Sequence, residues 1–437
     1  MTEDGVRLTI SIAVEGRTTR IAMRDSDGRT VSDVTTEFAS DQLLALRREV
    51  RRGLDIFRRT FAGQAVNAKV AERALEDFHA TGRTILHLLY GNNFAQLDRA
   101  SKACRAACGL PGQWESSPLP CDARAAKPRL ILIDTRSQDG IAPELLPFLN
   151  PLPPDYAADP NRFGRIARDF LGFAAIVHRA EPTLAPLELD NTTQLPLRIF
   201  RHKGLNAAAS MPDFFRRDGL FELDCEWPRR QSDPNDATRL AELLWRGRTG
   251  AAGEVRKRPI QIHHFACHCD AHPQSGRSEL RFKGDGFPYI GETSIDVVDL
   301  KGRLSDFQLK SFQNGDLASR PLVFLNACGT ADGDPDALTS LPKVFESPFF
   351  LGVIATQCPV PDWFATDFSK RFYERLLSGS SVGQALFDAR WEMMMKRRNP
   401  FGLIYTLYAP PNMKVSRAIP SDRLNKTRTA GANSRFP

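Results

Sequence analysis

Residues 258–269 read RPIQIHHFACHC, and residues 320–330 follow the same plan with RPLVFLNACGT. Each stretch opens on Arg-Pro and continues as a nearly unbroken apolar run, which is typical of strands buried on both faces of a sheet. Similar runs occur at residues 129–134, 173–178, 196–200 and 349–356. Helical patterns lie between several of them, for example at residues 236–247 and 362–377. This alternation predicts an α/β fold with a mostly parallel sheet and helices on both faces.

In both stretches the predicted strand stops at a reactive side chain, His268 in the first and Cys328 in the second. In open parallel sheets, ligand sites gather beyond the carboxyl ends of the strands. A thiol with a pKa near ~8.5 is mostly protonated at pH 7, and a neighbouring histidine can take its proton. Gly329 follows the thiol directly and favours a sharp turn whose N–H groups could hold an oxyanion. The pattern therefore indicates a cysteine/histidine site, with a small buried apolar cysteine as the alternative.

The first stretch is crowded with potential metal ligands. They are His263, His264, Cys267, His268, Cys269 and His272. Alternate side chains of a strand point to opposite faces, so these six cannot converge without a bulge. Their spacing also matches no common zinc finger or ribbon. We expect no metal and no cofactor, and zinc stays the alternative.

Composition limits the class of protein. The chain has 437 residues, of which 42% are hydrophobic and 25% charged, as in ordinary globular proteins. Its eight cysteines are too sparse for a disulfide scaffold. The N-terminus lacks the pattern of a signal peptide. The longest apolar run, residues 347–361, contains three prolines and is too short to span a membrane. We expect a reduced, cytoplasmic protein with no membrane partner.

The positive charge is unevenly distributed. Residues 413–437 hold six Lys and Arg against one Asp, which is 6 − 1 = +5 of the net charge of +7. Residues 46–59 form a second basic segment whose arginines would coat the outer face of a helix. Its inner stripe comprises Leu43, Val50, Leu54, Phe57 and Phe61. Because no base-reading motif is present, we expect no specific nucleic-acid partner. Nucleic-acid binding through the basic helix and tail is the alternative.

Three regions follow from these patterns. Residues 1–125 predict a β-hairpin at 7–24 and helices at 41–61 and 67–108, and a segment rich in Pro, Gly and Ser closes the region. Residues 126–412 carry the strand and helix alternation. Residues 413–437 predict a basic, disordered tail.

Several ordered motifs resemble one family. HHFACHC resembles the HFAGHG strand of CHAT domains, which are caspase-like cysteine peptidases related to separase, and LVFLNACGTADGD resembles their LVVLSACETG strand. Further similar segments are IAPELLPF at 141–148, NDATRLAELL at 235–244, SELRFKG at 278–284 and the long segment 353–390. The resemblance covers about residues 126–410 and implies a caspase-like fold.

The resemblance also implies roles for individual residues. His268 matches the catalytic histidine, Cys328 the nucleophile and His264 a structural histidine. The backbone N–H groups of Cys269 and Cys328 would form the oxyanion hole. Cys269 stands where the family has glycine, and a side chain there costs ~1 kcal/mol if the backbone needs a positive φ. Asn326 stands near the site where the family commonly has serine.

Acidic residues are the candidates for binding the substrate side chain before the cut. They are Asp134, Asp332, Asp334 and Asp362. Each could instead cap a helix or a turn. Residues 332–340 resemble a loop that folds over a substrate.

The function implied by the resemblance is that of a cysteine endopeptidase that cleaves a protein substrate. Its expected setting is bacterial, in antiviral defence or signal-triggered proteolysis. Activation would come from a partner protein or from self-association. The alternative is a caspase-like scaffold or interaction module with weak catalysis, because Cys269 replaces the expected glycine.

Overall fold

The structure, a computed structural model, describes fifteen stretches of the chain. They are residues 6–15, 17–38, 40–63, 66–110, 128–134, 142–149, 161–179, 187–228, 236–245, 259–271, 278–283, 293–314, 320–328, 344–345 and 349–419. Among the predicted site residues, Asp332, Asp334 and His272 lie outside these stretches, as does the predicted loop 332–340.

Helices and strands alternate over much of the described chain. The α-helices are α1 (Ser40–Thr60), α2 (Ala68–Leu89), α3 (Phe94–Ala107), α4 (Arg162–Arg168), α5 (Leu171–Ala174), α6 (Met211–Arg216), α7 (Asp236–Trp245), α8 (Val297–Asn314), α9 (Asp362–Leu377) and α10 (Val382–Arg397). The strands up to residue 227 are β1 (Val6–Glu15), β2 (Thr18–Asp25), β3 (Thr30–Glu37), β4 (Leu130–Asp134), β5 (Ile176–His178), β6 (Glu188–Leu189), β7 (Leu195–Arg201) and β8 (Phe221–Trp227). The later strands are β9 (Ile262–Ala271), β10 (Ser278–Phe282), β11 (Thr293–Asp296), β12 (Leu322–Cys328), β13 (Gly352–Thr356), β14 (Tyr405–Tyr408) and β15 (Lys414–Val415).

Two compact units make up the chain. The first comprises residues 1–184 and 386–407, and the second comprises residues 185–385 and 408–437. In the first unit the strand order is β14-β5-β4-β1-β2-β3. Strands β14, β5, β4 and β1 run parallel, and β1, β2 and β3 are antiparallel neighbours. The predicted hairpin at 7–24 is confirmed, and β3 extends it.

The pairing of β1 with β4 crosses the predicted boundary at residues 125 and 126. The opening hairpin thereby continues the sheet that β4 begins. The predicted domain boundaries themselves remain a prediction.

The amphipathic helix α1 packs as its sequence indicates. Val50, Leu54, Phe57 and Phe61 are all buried. The ring of Phe57 stacks on Phe78 of α2 at a centroid distance of 4.8 Å. The apolar stripe therefore faces the core of the first unit, because burying it removes the largest apolar area from water.

The second unit contains a parallel sheet with helices on both faces. Strands β8, β7, β9, β12 and β13 run parallel in that order, and β10 and β11 add antiparallel pairs beyond β9. On one face, Phe265 and Val323 join an apolar cluster with residues of α7 and α8. On the other face, Phe324 packs against Phe372 of α9 at 5.0 Å. The predicted fold class, α/β with a mostly parallel sheet between helices, is confirmed.

Two predicted elements are wrong in detail. Two of the six residues in the strand predicted at 173–178 are helical, because Leu171–Ala174 form α5 and only Ile176–His178 form a strand. A short apolar run does not distinguish a buried helix from a buried strand. The helical pattern at 67–108 is interrupted, because Gly91 and Asn92 adopt positive φ values of 58° and 57°.

Two further predictions concern the C-terminal tail and membrane-spanning segments. Strand β15 pairs with β6, so the first residues of the predicted tail are ordered, while residues 420–437 lie outside the described stretches. Among the described helices, none is both long and apolar enough to cross a membrane.

Candidate active site

The proposed catalytic residues occupy paired positions on neighbouring strands. Strands β9 and β12 pair in parallel from Ile262 and Leu322 up to His268 and Cys328. Neighbouring strands lie about 4.8 Å apart, so the two backbones approach to about that distance. In-register residues of a parallel pair also share one face of the sheet. His268 and Cys328 therefore meet at the carboxyl edge where β12 ends.

One expectation about β9 is wrong. His268 does not end its strand, because β9 continues to Ala271. The extra residues pair with β10, which places His268 opposite Arg281 and Cys269 opposite Leu280. The antiparallel strand β10 thus prolongs β9 beyond the point where β12 stops. His268 is held on a paired strand instead of a loop.

His268 is half-buried, and a second histidine packs against it. The ring of His202 lies 4.7 Å from the His268 ring, centroid to centroid, with an interplanar angle of 76°. His202 directly follows β7 and is itself buried. The carboxyl ends of β7, β9 and β12 therefore bring His202, His268 and Cys328 together.

Asp362, the first residue of α9, lies on the same side of this edge. Its two carboxylate oxygens accept the N–H groups of Ala207 at 2.6 Å and Ala208 at 3.0 Å. Burial raises the pKa of Asp362, while these N–H groups and the positive charges of His268 and Arg201 act in the opposite direction. Both oxygens are occupied by backbone donors, as the capping alternative requires. A role in substrate binding remains a prediction.

For the other three acids, a part in substrate binding remains a prediction. Asp134 is the last residue of β4 in the first unit. Asp332 and Asp334 lie outside the described residues, so their part in the site also remains a prediction.

His264 is fully buried beneath the edge. Its Nδ1 lies 3.0 Å from the hydroxyl of Tyr373 on α9 and shares a hydrogen bond with it. Burial lowers the pKa of His264 to about 3, so the ring is neutral at physiological pH. The partner is thus a residue of the helix packed on this face of the sheet. A neutral, fully enclosed ring favours the predicted structural role.

Asn326 ties the nucleophile strand to α9. Its side-chain amide donates to the hydroxyl of Ser369 at 2.6 Å and to the carbonyl of Ala365 at 3.3 Å. Ser369 in turn donates to Ala365 at 2.6 Å. The longer amide side chain reaches two acceptors on the helix, whereas serine carries one hydroxyl. Asn326 thus anchors β12 two residues before Cys328.

The concern about Cys269 is resolved by its backbone. Cys269 lies within β9, and among described non-glycine residues a positive φ occurs only at Asn92 and Arg398. Its side chain is 1% exposed and belongs to the apolar cluster on the face opposite His268. The expected strain is therefore absent. The use of the Cys269 and Cys328 N–H groups as an oxyanion hole remains a prediction.

His263 and Cys267, two further side chains of the crowded stretch, face away from the site. His263 donates from Nε2 to the carbonyl of Leu244 at 3.3 Å, and burial holds its pKa far below the usual value. Cys267 lies in the same apolar cluster as Cys269. Within the described stretches, no three His, Cys, Asp or Glu side chains are arranged to hold a metal ion. The described histidine and cysteine side chains of β9 diverge because successive side chains of a strand point to opposite faces.

Comparison with known proteins identifies the family of the chain. The CHAT domain matches residues 174–422, which is more than half of the chain. The chain belongs to the CHAT domain family. The matched region contains β7, β9 and β12, and thus every strand that brings a residue to the edge at His268.

Two known proteins are similar to parts of this CHAT protein. A probable protease of Vitiosangium sp. (strain GDMCC 1.1324) is 28% identical over 173 residues, which cover 39% of this chain and 21% of that protein. The alignment thus spans about a fifth of the relative's length. Separase in the Saccharomyces cerevisiae separase–securin complex aligns with a TM-score of 0.40 and 10% identity, over 94% of this chain and 30% of that one.

Sequence reasoning did not identify two residues of this CHAT site. His202 lies far along the chain from the histidine-rich stretch around His268. It nevertheless directly follows the predicted strand at 196–200. The same rule that selected His268 and Cys328, a reactive side chain at a strand end, would have found it. Tyr373 carried no such signal, because only packing of α9 on the sheet brings it to His264.

Proposed function

We propose that the chain is a cysteine endopeptidase that cleaves a protein substrate with Cys328 as nucleophile and His268 as general base and acid. The observation that carries the proposal is the in-register pairing of these residues at the end of β12. Membership of the CHAT family and similarity to a relative named as a probable protease support it.

The chemistry has two stages, acylation of Cys328 and hydrolysis of the thioester, and each needs His268 to take a proton and return it. His268 accepts the thiol proton of Cys328, and the thiolate forms a bond to the scissile carbonyl carbon. The resulting oxyanion is stabilised by backbone N–H groups, for which Cys269 and Cys328 are the candidates. When the carbon–nitrogen bond breaks, His268 returns the proton to the leaving amine. A water molecule then hydrolyses the thioester, with His268 again taking and returning the proton.

The wider role belongs to the same proposal. The substrate is a partner protein, and cleavage is triggered by an activating protein or by self-association, in bacterial antiviral defence or another signal-triggered pathway. The bacterial source of the relative supports this setting. The chemistry uses protein groups alone and requires no cofactor. A cytoplasmic location fits such a role and remains a prediction.

A labelling experiment tests the catalytic part of this proposal. A peptide bearing a cysteine-directed electrophile should modify Cys328 in the wild type, and Cys328→Ala should abolish the modification. Cys267→Ala is the matched control, because Cys267 is buried on the opposite face of β9 and should not affect labelling. Equal and slow modification of all thiols would instead show an interaction module without an activated nucleophile.

A cleavage experiment tests the biological part. Co-expression with the neighbouring open reading frames should yield a new fragment of one partner with the wild type, and none with Cys328→Ala. A fragment that persists with Cys328→Ala would overturn the proposal.

A further inference from the structure

His202 is built into the edge of the sheet beside the dyad. It directly follows β7, and its backbone N–H donates to the carbonyl of Ala266 at 2.8 Å. Ala266 lies two residues before His268 on β9, on the same face of the strand. The side chain of His202 is buried, with 4% of the residue exposed. Its position relative to His268 is therefore set by the sheet itself.

A tight turn sets the hydrogen bonding of the His202 ring. The backbone N–H of Gly204 donates to His202 Nδ1 at 3.1 Å, and the N–H of Leu205 donates to the His202 carbonyl at 3.0 Å. A backbone N–H can only donate, so Nδ1 is the acceptor. In the neutral ring the proton is therefore on Nε2.

Residue 204 must be small for this turn to close over the ring. A Cβ atom on Gly204 would lie 2.8 Å from Cε1 and 3.0 Å from Nδ1 of His202. Contacts this short would push the imidazole out of place. Gly204 thus serves the position of the His202 ring.

The held ring restricts His268. The two rings meet edge to face at 4.7 Å and 76°, a favourable arrangement for aromatic rings. Because His268 is only half-buried, the contact with the His202 ring limits the rotamers that its imidazole can adopt. The proposed proton transfer needs one orientation of this imidazole.

We propose that His202 is a positioning residue of the dyad, whose ring, held by Gly204, keeps the His268 imidazole oriented towards Cys328. This rests on the proposed peptidase function. No proton passes through His202, because its Nδ1 stays bonded to Gly204 throughout. Its role is to keep His268 in the orientation in which the thiol proton is transferred.

Two substitutions test the contribution of the His202 ring separately from that of its hydrogen bond to Gly204. His202→Asn keeps an acceptor oxygen near the position of Nδ1 but removes the ring beside His268. His202→Phe keeps a ring of similar size but removes the acceptor. Lys203→Ala is the control in the same turn, because the turn uses the backbone of Lys203 through an N–H bond to the Lys283 carbonyl at 2.8 Å.

The measurement is the rate constant for alkylation of Cys328 by iodoacetamide, which reports thiolate formation without a known substrate. His202→Asn should lower it by roughly 10-fold or more, a usual cost of removing a residue that orients a reactive group. His202→Phe should keep most of the wild-type rate, and Lys203→Ala all of it. Circular dichroism and thermal unfolding are recorded for each variant. If His202→Asn does not fold, His202→Phe is compared with Gly204→Ala instead. Alkylation of Cys328 is then expected to be slower in Gly204→Ala.

The outcomes distinguish this inference from the proposed function. A folded His202→Asn variant with wild-type reactivity at Cys328 would overturn the positioning role and leave the peptidase proposal intact. A His202→Phe variant as slow as His202→Asn would also overturn it, because the ring contact would then not matter. If His268→Ala leaves the reactivity of Cys328 unchanged, the dyad itself is wrong.

Discussion

Cys328 and His268 are the last in-register pair between β12 and β9, and β9 continues past this pair to Ala271. Cys328 thus lies where β12 ends. His268 is paired on both sides, because it also lies opposite Arg281 of β10. The proposed base therefore lies within a strand that is paired on both sides, and the proposed nucleophile is the last residue of its strand.

Replacing the base should nearly abolish catalysis without unfolding the protein. We expect His268→Gln to lower the rate of cleavage by roughly 10²–10⁴-fold, the usual contribution of a general base. His268 is half-buried, so its loss leaves little empty space. Cleavage of the partner protein is measured beside thermal unfolding. A His268→Gln variant that cleaves at the wild-type rate would contradict the assigned role.

Restoring the family glycine at residue 269 should destabilise the protein and leave its activity no higher. The Cys269 side chain fills the apolar cluster, and its strand backbone needs no glycine. We expect Cys269→Gly to lower the free energy of unfolding by ~1–2 kcal/mol, from lost packing and added chain flexibility. Cys269→Ala, which keeps Cβ, should cost less. An increase in kcat for Cys269→Gly would show that the side chain does impair the oxyanion hole.

His264 should make stability depend on pH. Its pKa is about 3 in the folded protein and near ~6.5 in an unfolded chain. Between these values the unfolded chain binds the extra proton, so stability is complete above pH ~6.5 and falls as the pH decreases, by up to ~1.4 kcal/mol per pH unit from this residue. Urea unfolding of His264→Gln between pH 7.5 and pH 4.5 should show a shallower decline than that of the wild type. Equal slopes would show that His264 is not the group responsible.

The buried carboxylate of Glu144 should matter more than an exposed one. In the first unit Glu144 is 1% exposed and lies 2.6 Å from Arg179, with a further hydrogen bond from Thr406. Burial opposes its ionisation, but Arg179 outweighs that effect and keeps the pKa of Glu144 below its usual value. Removing it breaks a buried ion pair by taking one partner away from Arg179, so Glu144→Ala should cost ~3 kcal/mol or more.

Asp98 gives the matched control for Glu144. It pairs with Lys102 at 2.7 Å, but both side chains are more than half exposed. Asp98→Ala should change the free energy of unfolding by less than ~0.5 kcal/mol. The stability contributed by Glu144 should be present at neutral pH and should disappear as the pH falls through its lowered pKa. Similar effects of the two substitutions in chemical denaturation would contradict this reading of the pair.

The apolar runs were sufficient to predict the parallel strands at the centre of the second unit. Strands β7, β9, β12 and β13 were all found, because strands covered on both faces need continuous apolar sequence. Strands β3, β8 and β10 were not identified as strands from the apolar runs. Partly exposed strands lack such runs, and their pairing depends on partners distant in sequence.

The candidate site was only partly predictable for a related reason. His268 and Cys328 are visible in the sequence, because each follows a recognisable apolar strand. That they lie opposite each other depends on the register between β9 and β12, which is a property of two strands together. Likewise, the hydrogen bond from Gly204 to His202 is local, but the contact of His202 with His268 requires β7 to pair with β9.

By itself, the sequence determined which segments become buried strands and which reactive residues follow them, because hydrophobic pattern and strand propensity act over a few neighbouring residues. Only the tertiary structure decided that Cys328 pairs with His268, that His202 packs against it, and that Cys269 points into the core. These outcomes depend on strand order and register, which the packing of the whole unit sets through contacts between residues far apart along the chain.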